Sequence, residues 1–425
     1  MPKDVAPKAL DLTSILRSGD SLLWGQGTSE PLTLTEALVK QRADIGRVNV
    51  FLGPTFSDTV RPEHADHISF VSYGAFGKNQ RLARAGVLDI LPCHLSQLPS
   101  LIAGGAIRCD VVFIQLSSPN ARGEYSLGVA NDYMLEAARR ARVIVAEVND
   151  QAPWTYGGES LSQIRIDYIV RTSRPILEVP VPPVGEVEKK IATHAGQYIE
   201  DGAVLEMGIG AIPNAIMSGL RDRRDLGIHS GMIGDSVVEL VEAGAISNAL
   251  KPIDRGIITA GLLFGTSRLY RFANCNSALR LRPTNYTHNA RVLAKFENFI
   301  AINSAIEVDL TGQVNAEVVG NDYVGAVGGQ GDFVRAACQS DGGRSIIALP
   351  STARNNTVSR IVARLSGGIT TTPRSDADIV VTEWGAADLR GRTISERVRR
   401  MIEIAHPAFR ESLEREAHEF LYRGC

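Results

Sequence analysis

The sequence has almost no surplus of either charge: 45 lysines and arginines stand against 47 aspartates and glutamates in 425 residues, a formal net charge of −2. Such a balance gives no electrostatic footprint for nucleic acid, and no block of like charges makes an interaction tail. Cysteine is scarce. Cys93, Cys109, Cys275, Cys338 and Cys425 are scattered, without the CxxC or ligand spacing of a zinc site, so buried thiols in a reducing compartment are expected. No apolar run approaches the roughly 20 residues of a membrane span, and the opening stretch MPKDVAPKALDLTSIL lacks the apolar segment of a signal peptide. A cytoplasmic protein with no membrane partner is the expectation. Missing too are a GK[ST] phosphate loop, a GxSxG elbow and any Cys–His arrangement. His64 and His67 lie near Glu63 and Asp66 without a third ligand of fitting spacing, so they read as solvated loop residues and no metal is expected. Any grip on an anionic ligand must be local, from loops, helix starts and single arginines.

What is present is an average globular composition, 44% hydrophobic, with 40 glycines spread along a chain too long for one ordinary core. Strand-like apolar runs recur at Ser21–Trp24, Val48–Leu52, Ile68–Val71, Val111–Gln115, Val143–Glu147 and Tyr168–Val170. Helical patterns intervene at Leu34–Gln41, Gln80–Ala85 and Ala130–Ala141. This alternation argues for α/β architecture with a mostly parallel sheet. The stretch ILEVPVPPVGEV, Ile176–Val187, cannot continue a helix and reads as an extended linker. Beyond it come helix Glu188–Ile199, strand Ala203–Met207, helix Ala215–Leu220, strand Gly227–His229 and helix Ser236–Ala243. Further strands fit Gly256–Ala260, Phe299–Ile302, Ser345–Leu349 and Ile379–Thr382, and Ile394–Tyr422 reads as helices. Two domains follow, 1–180 and 188–425, joined by a linker at about 176–187.

Four stretches could carry chemistry. Glu206-Met-Gly-Ile-Gly-Ala-Ile-Pro213 ends a strand in Gly208-x-Gly210, with Pro213 where a helix would start; a ligand loop and a plain turn both fit. Gly325–Phe333 holds a run of glycines whose amides could hold a phosphate or an oxyanion, or only turn the chain. Leu349–Arg360 offers hydroxyls and two arginines after a strand, either for an anion or as a solvated loop. Ile302–Glu317 contains VDLTGQV, which looks like a hairpin turn.

Together these stretches resemble the acetyl-CoA hydrolase/transferase family, most of all its 4-hydroxybutyrate CoA-transferases and related class I CoA-transferases. The resemblance runs over nearly the whole chain, through DVVFIQLSSP, SLGVANDY and VAEVN in the first half. In the second half it runs through GIGAIPNA, GIHSGM, INSAIEVDLTGQVNAE, VGGQGDFVR, SIIALPSTA, SRIV, VVTEWG and IAHPAFR. It implies two open α/β domains with mostly parallel sheets facing each other across a cleft that holds the active site, and a homo-dimer or tetramer. The substrates it implies are an acyl-CoA and a short carboxylic acid. Coenzyme A enters as substrate and no metal is needed. By resemblance Gly208, Ile209, Gly210, Ala211 and Ile212 form a coenzyme A and oxyanion loop. Gly328, Gly329 and Gln330 form the opposing wall, and Ser351, Thr352 and Arg354 help to hold coenzyme A.

The family transfers acyl groups through a glutamate in a stretch resembling His-Ser-Glu-Met. Here that stretch is His229-Ser-Gly-Met232, so Gly231 stands at the nucleophile's position. Three readings follow: another carboxylate replaces it (Glu63 first, then Glu30 or Glu317), the gap admits water or the acceptor acid directly, or the chain binds coenzyme A without catalysis. A dinucleotide-binding dehydrogenase would need a fuller glycine fingerprint, and Asp225 precedes the next strand instead of ending one.

Overall fold

The computed structural model describes residues 2–157, 159–180, 182–365 and 367–421. Cys425, Val181 of the expected linker and Tyr422 of the expected tail lie outside the described residues. The chain forms two units. The first takes the chain up to Pro180 together with Ile257–Asn289 and Tyr323–Gly328; the second takes the remaining described residues.

The first unit is built on eight strands: β1 (Lys3–Val5), β2 (Ser21–Trp24), β3 (Val48–Leu52), β4 (Ile68–Ser72), β5 (Leu88–Ile90), β6 (Val111–Ser117), β7 (Val143–Asn149) and β8 (Tyr168–Thr172). They lie in the order β1-β8-β7-β6-β2-β3-β4-β5, every neighbouring pair parallel. Strands covered on both faces must be apolar throughout, which is why β2 and β6 are buried at every residue. Leu22, Trp24, Val111 and Phe113 enter one core with Leu34 and Leu38; Leu23, Ile114 and Leu116 enter another with Tyr133 and Met134. From β2 the chain winds outward to β5, then returns on the other side at β6. A crevice at the carboxyl ends of β2 and β6 results, the usual ligand position in open α/β sheets.

The second unit carries a six-stranded sheet. β9 (Val204–Met207) is flanked by β10 (Gly227–Ile228) on one side and by Phe299–Ser304 on the other, followed by Arg344–Ala348, Ile379–Thr382 and Gly385–Asp388. All pairs are parallel except the last. The chain leaves β9 towards β10 and comes back on the opposite side at Phe299–Ser304. The switch point of this sheet therefore lies between β9 and Phe299–Ser304.

The fold class is α/β with mostly parallel sheets, as the strand–helix alternation predicts. The differences are local and have physical causes. The helix expected at Ala215–Leu220 starts earlier, at Ala211, so Pro213 is its third residue, not its opening one. A first-turn proline loses nothing, because the N–H it lacks has no intrahelical partner there. The helix expected at Ala130–Ala141 spans only Met134–Arg140. Asn131 is drawn off to the Gly157 and Leu281 carbonyls, and the Asp132 carboxylate accepts from the Met134 amide at 3.0 Å. The expected strand Gly256–Ala260 forms as Ile258–Ala260, pairs only with Leu279–Leu281 and belongs to the first unit. The VDLTGQV hairpin is present: Glu307–Asp309 pairs antiparallel with Val314–Asn315, and Asp309 accepts from the amides of Thr311 and Gln313. No described helix is long and apolar enough to cross a membrane.

Candidate functional site

In the second unit the glycine turn leaves β9 at the switch point. Gly208 donates its amide to the Ile302 carbonyl at 2.8 Å, tying the turn to the neighbouring strand. A Cβ on Gly208 would lie 3.4 Å from both that carbonyl and the Asn303 side-chain oxygen. Gly210, at φ 114°, opens helix Ala211–Ser218 in a conformation that side chains rarely adopt. Ile209, Ala211 and Ile212 are half-buried and Gly210 is exposed.

Directly before the turn, Glu206 is buried at 4% exposure, and Asn303 Nδ2 donates to its Oε2 at 2.9 Å. Burial pushes this carboxyl up to about 8, although the Asn303 hydrogen bond pulls the other way. Alongside runs His229-Ser-Gly-Met232. The His229 amide donates to Leu205 O at 3.1 Å, and Ser230 Oγ accepts from the Met207 amide at 3.2 Å. Gly231 follows, half-buried. His229 is fully buried with its ring 4.8 Å from that of Phe296. Lys251 is buried behind β10, its Nζ donating to Ile228 O at 2.8 Å, and burial pulls the ammonium down to about 7.

The loop after Arg344–Ala348 is held from below and open above. Ser351 is fully buried and gives both its amide and its hydroxyl to Glu383. Thr352 Oγ1 donates to Asn356 Oδ1 at 2.6 Å. Arg354, Asn355 and Asn356 follow at φ 50°, 54° and 63°, three successive left-handed residues, and all three are exposed. Gln330 starts helix Gln330–Gln339 behind Gly329, with its amide donating to Thr372 Oγ1 at 3.1 Å. Glu317 is buried and accepts from Thr371 Oγ1 at 2.8 Å.

In the first unit, Gly325–Gly328 lies along the carboxyl ends of β4 and β5. Gly325 O accepts from the Ala75 amide at 2.8 Å, and Gly328 O from the Leu95 amide at 3.0 Å. Glu63 lies on the single turn Pro62–Asp66, its side chain 60% exposed and 3.9 Å from Arg61. His64 Nδ1 accepts from the Arg61 amide at 3.1 Å, a local structural bond. Glu30 is buried and accepts from Thr35 and Ser57, and burial raises its carboxyl. At the crevice beside β2, Tyr73 donates to Gln26 Oε1 at 2.6 Å. Asp132 and Tyr133 are buried nearby, and neither Asp132 Oδ2 nor the Tyr133 hydroxyl has a hydrogen-bond partner among the described residues. Burial pushes Asp132 up to about 6. Among the described residues no cluster of three or more His, Cys, Asp or Glu could hold a metal ion.

Sequence reasoning passed over Glu206, Asn303, Asp132 and Tyr133. The signal for Glu206 was available: it is the one acid in the five parallel strands of its sheet.

The N-terminal domain of the acetyl-CoA hydrolase/transferase family matches residues 6–181, and its C-terminal domain matches residues 265–417. The 4-hydroxybutyrate coenzyme A transferase of Clostridium kluyveri is 40% identical over 410 residues, 95% of each chain. The succinyl-CoA:cyclohexane-1-carboxylate CoA transferase of Geobacter metallireducens is 34% identical over 409 residues, 95% of this chain and 93% of that one. The crystal structure of RipA from Yersinia pestis superposes with a TM-score of 0.92 at 36% identity, covering 98% of this chain and 97% of RipA. With both domain models matched and relatives this similar along their whole length, the chain belongs to the acetyl-CoA hydrolase/transferase family.

Proposed function

We propose that this chain is an acyl-CoA:carboxylate CoA-transferase, exchanging coenzyme A between a short acyl-CoA and a free acid with Gly231 where the family's nucleophile stands. The acyl groups it takes are those of about two to five carbons, butyryl, 4-hydroxybutyryl or dicarboxylic. The observation that carries this reading is the Gly208–Ile212 turn at the switch point of the second sheet, beside His229-Ser-Gly231. With the Gly208 amide given to Ile302 O, the amides from Ile209 onward at the helix start can hold the oxyanion of a thioester under attack, and such preorganised donors supply much of the rate in acyl transfer. Gly329 and Gln330 add amides at a second helix start. Arg354, exposed on its left-handed turn, meets the phosphates of coenzyme A, while Ser351 and Thr352 hold that turn in shape.

Carboxylate nucleophiles split one hard exchange into easier steps, so the bare position 231 also supports a second reading as an acyl-CoA hydrolase that admits water there. The enzyme works without a metal, in the cytoplasm, as a homo-dimer or tetramer. The test is a transfer assay with butyryl-CoA as donor and a panel of short acids as acceptors, with free thiol followed in parallel. New acyl-CoA without thiol release is expected. Thiol release alone establishes the hydrolase, and binding of coenzyme A with no turnover makes the chain a non-catalytic binding subunit.

A further inference from the structure

The reaction proposed above needs a carboxylate, and the family's own position offers none. Glu30 and Glu317 are buried and engaged by hydroxyls, and Glu63 stands on an exposed turn beside Arg61. Glu206 is different in its position. In β9 side chains alternate, so Val204 and Glu206 share one face of the sheet. The β9–β10 register pairs Gly227 with Val204 and Ile228 with Leu205. Extended along the chain, as the His229 amide and the Ser230 hydroxyl bonds support, it sets His229 level with Glu206 and Gly231 level with Gly208. A side chain at 231 would thus rise from the same face, one strand over and one pleat further on. On the other flank, Asn303 reaches across the switch point to the Glu206 carboxyl.

We infer that Glu206 is the carboxylate that takes over the covalent role from the bare position 231. The inference rests on the transferase reading. Ionised Glu206, its proton given to solvent, attacks the thioester carbonyl; the C–S bond breaks and coenzyme A leaves as thiolate, forming a mixed anhydride. The thiolate attacks the glutamyl carbonyl, releasing the first acid as its carboxylate and leaving a glutamyl-CoA thioester. The second acid then attacks that thioester, and the thiolate expelled takes the new acyl group from the second anhydride, restoring the Glu206 carboxylate. No oxidant, reductant or net proton is required. Asn303 holds the carboxyl in place through Oε2, and the Gly208–Gly210 turn that follows it carries only the Ile209 side chain.

The test traps the intermediate in the full-length protein. Wild type is incubated with butyryl-CoA, treated with borohydride to reduce any glutamyl thioester to its alcohol, digested and read by mass spectrometry. The expected result is modification of the peptide carrying Glu206, with at least a 100-fold loss of kcat in Glu206→Gln while acyl-CoA binding is retained. Adding Gly231→Glu to the Glu206→Gln variant is expected to restore transfer and move the modification to position 231, which separates lost chemistry from lost folding. Modification of Glu63, Glu30 or Glu317, or full transferase turnover with no modified acid, overturns the inference and leaves the transferase reading standing. Thiol release without transfer, or no turnover at all, removes both.

Discussion

Asn303 Nδ2 lies 2.9 Å from Glu206 Oε2, and this one hydrogen bond bridges the two strands at which the second sheet reverses its winding. An acid buried there ionises only against the loss of its hydration. Burial dominates, and hydrogen bonds from the Asn303 side chain and the Ile302 backbone offset only part of that loss, which is why the carboxyl sits near 8 and not below 4.

Stability should fall as pH rises through the window this shift opens. Glu206 holds its proton when folded up to about 8, whereas in the unfolded chain it releases it near the ordinary glutamate value of about 4.3. Between those values the folded state binds more protons, so its stability contribution is fully present below about pH 4 and lost as pH climbs to about 8. Glu206→Gln, which keeps an acceptor for Asn303, should gain on wild type by on the order of 3 kcal/mol across that window. Melting both proteins at pH 5 and pH 9 measures it, and a pH-independent difference would falsify the shift.

Lys251 should give the opposite slope. Its folded ammonium loses its proton near 7 and its unfolded one near 10.4, so the unfolded chain binds more protons between them and stability rises with pH over that range. Wild type should therefore gain stability relative to Lys251→Met from pH 7 to 10, as chemical denaturation at several pH values would show.

Transferase activity should climb towards alkaline pH with a midpoint near 8, since only the ionised Glu206 attacks. In the double variant Glu206→Gln, Gly231→Glu the midpoint should drop below 8, because residue 231 is half-buried and not enclosed. An unchanged kcat profile in the two proteins would reject this assignment.

Arg354→Ala should raise the KM for acyl-CoA about tenfold and leave the melting temperature alone, because its side chain is exposed. Ser351→Ala should do the reverse in stability. Removing the buried hydroxyl strips Glu383 of a donor, at a cost of about 1–3 kcal/mol. Steady-state kinetics and melts on the two variants separate binding from support.

Gly53→Ala should destabilise the first unit by about 1–3 kcal/mol. Its Cβ would come within 2.3 Å of Gln26 Cβ and 2.7 Å of the Tyr133 hydroxyl, two side chains packed at the β2–β6 crevice. A melt close to that of wild type would mean that the crevice yields.

Much of the fold, and the turns of the candidate site, were legible in the chain because short-range physics wrote them. Buried parallel strands must be apolar, so runs such as Val111–Gln115 announced themselves, and a tight turn at a strand end favours glycine, so Gly208 and Gly210 did too. Ser351 shows where that reasoning stops. A hydroxyl in a loop after a strand looks like a ligand contact, yet its partner, Glu383, lies 32 residues away, and no local pattern announces such a bond. Asp132 and Tyr133 read as the start of a helix for the same reason: the carbonyls that draw Asn131 out of it come from Gly157 and Leu281.

By itself the sequence determined the α/β class, the two glycine turns, the family and the absence of a carboxylate at Gly231, because each depends on residue type and spacing alone. Only the tertiary structure decided the surroundings of Glu206. Glu206 and Asn303 are 97 residues apart, and nothing in either stretch foretells that parallel pairing of their strands joins them at the switch point, out of water, where a carboxyl keeps its proton near neutrality.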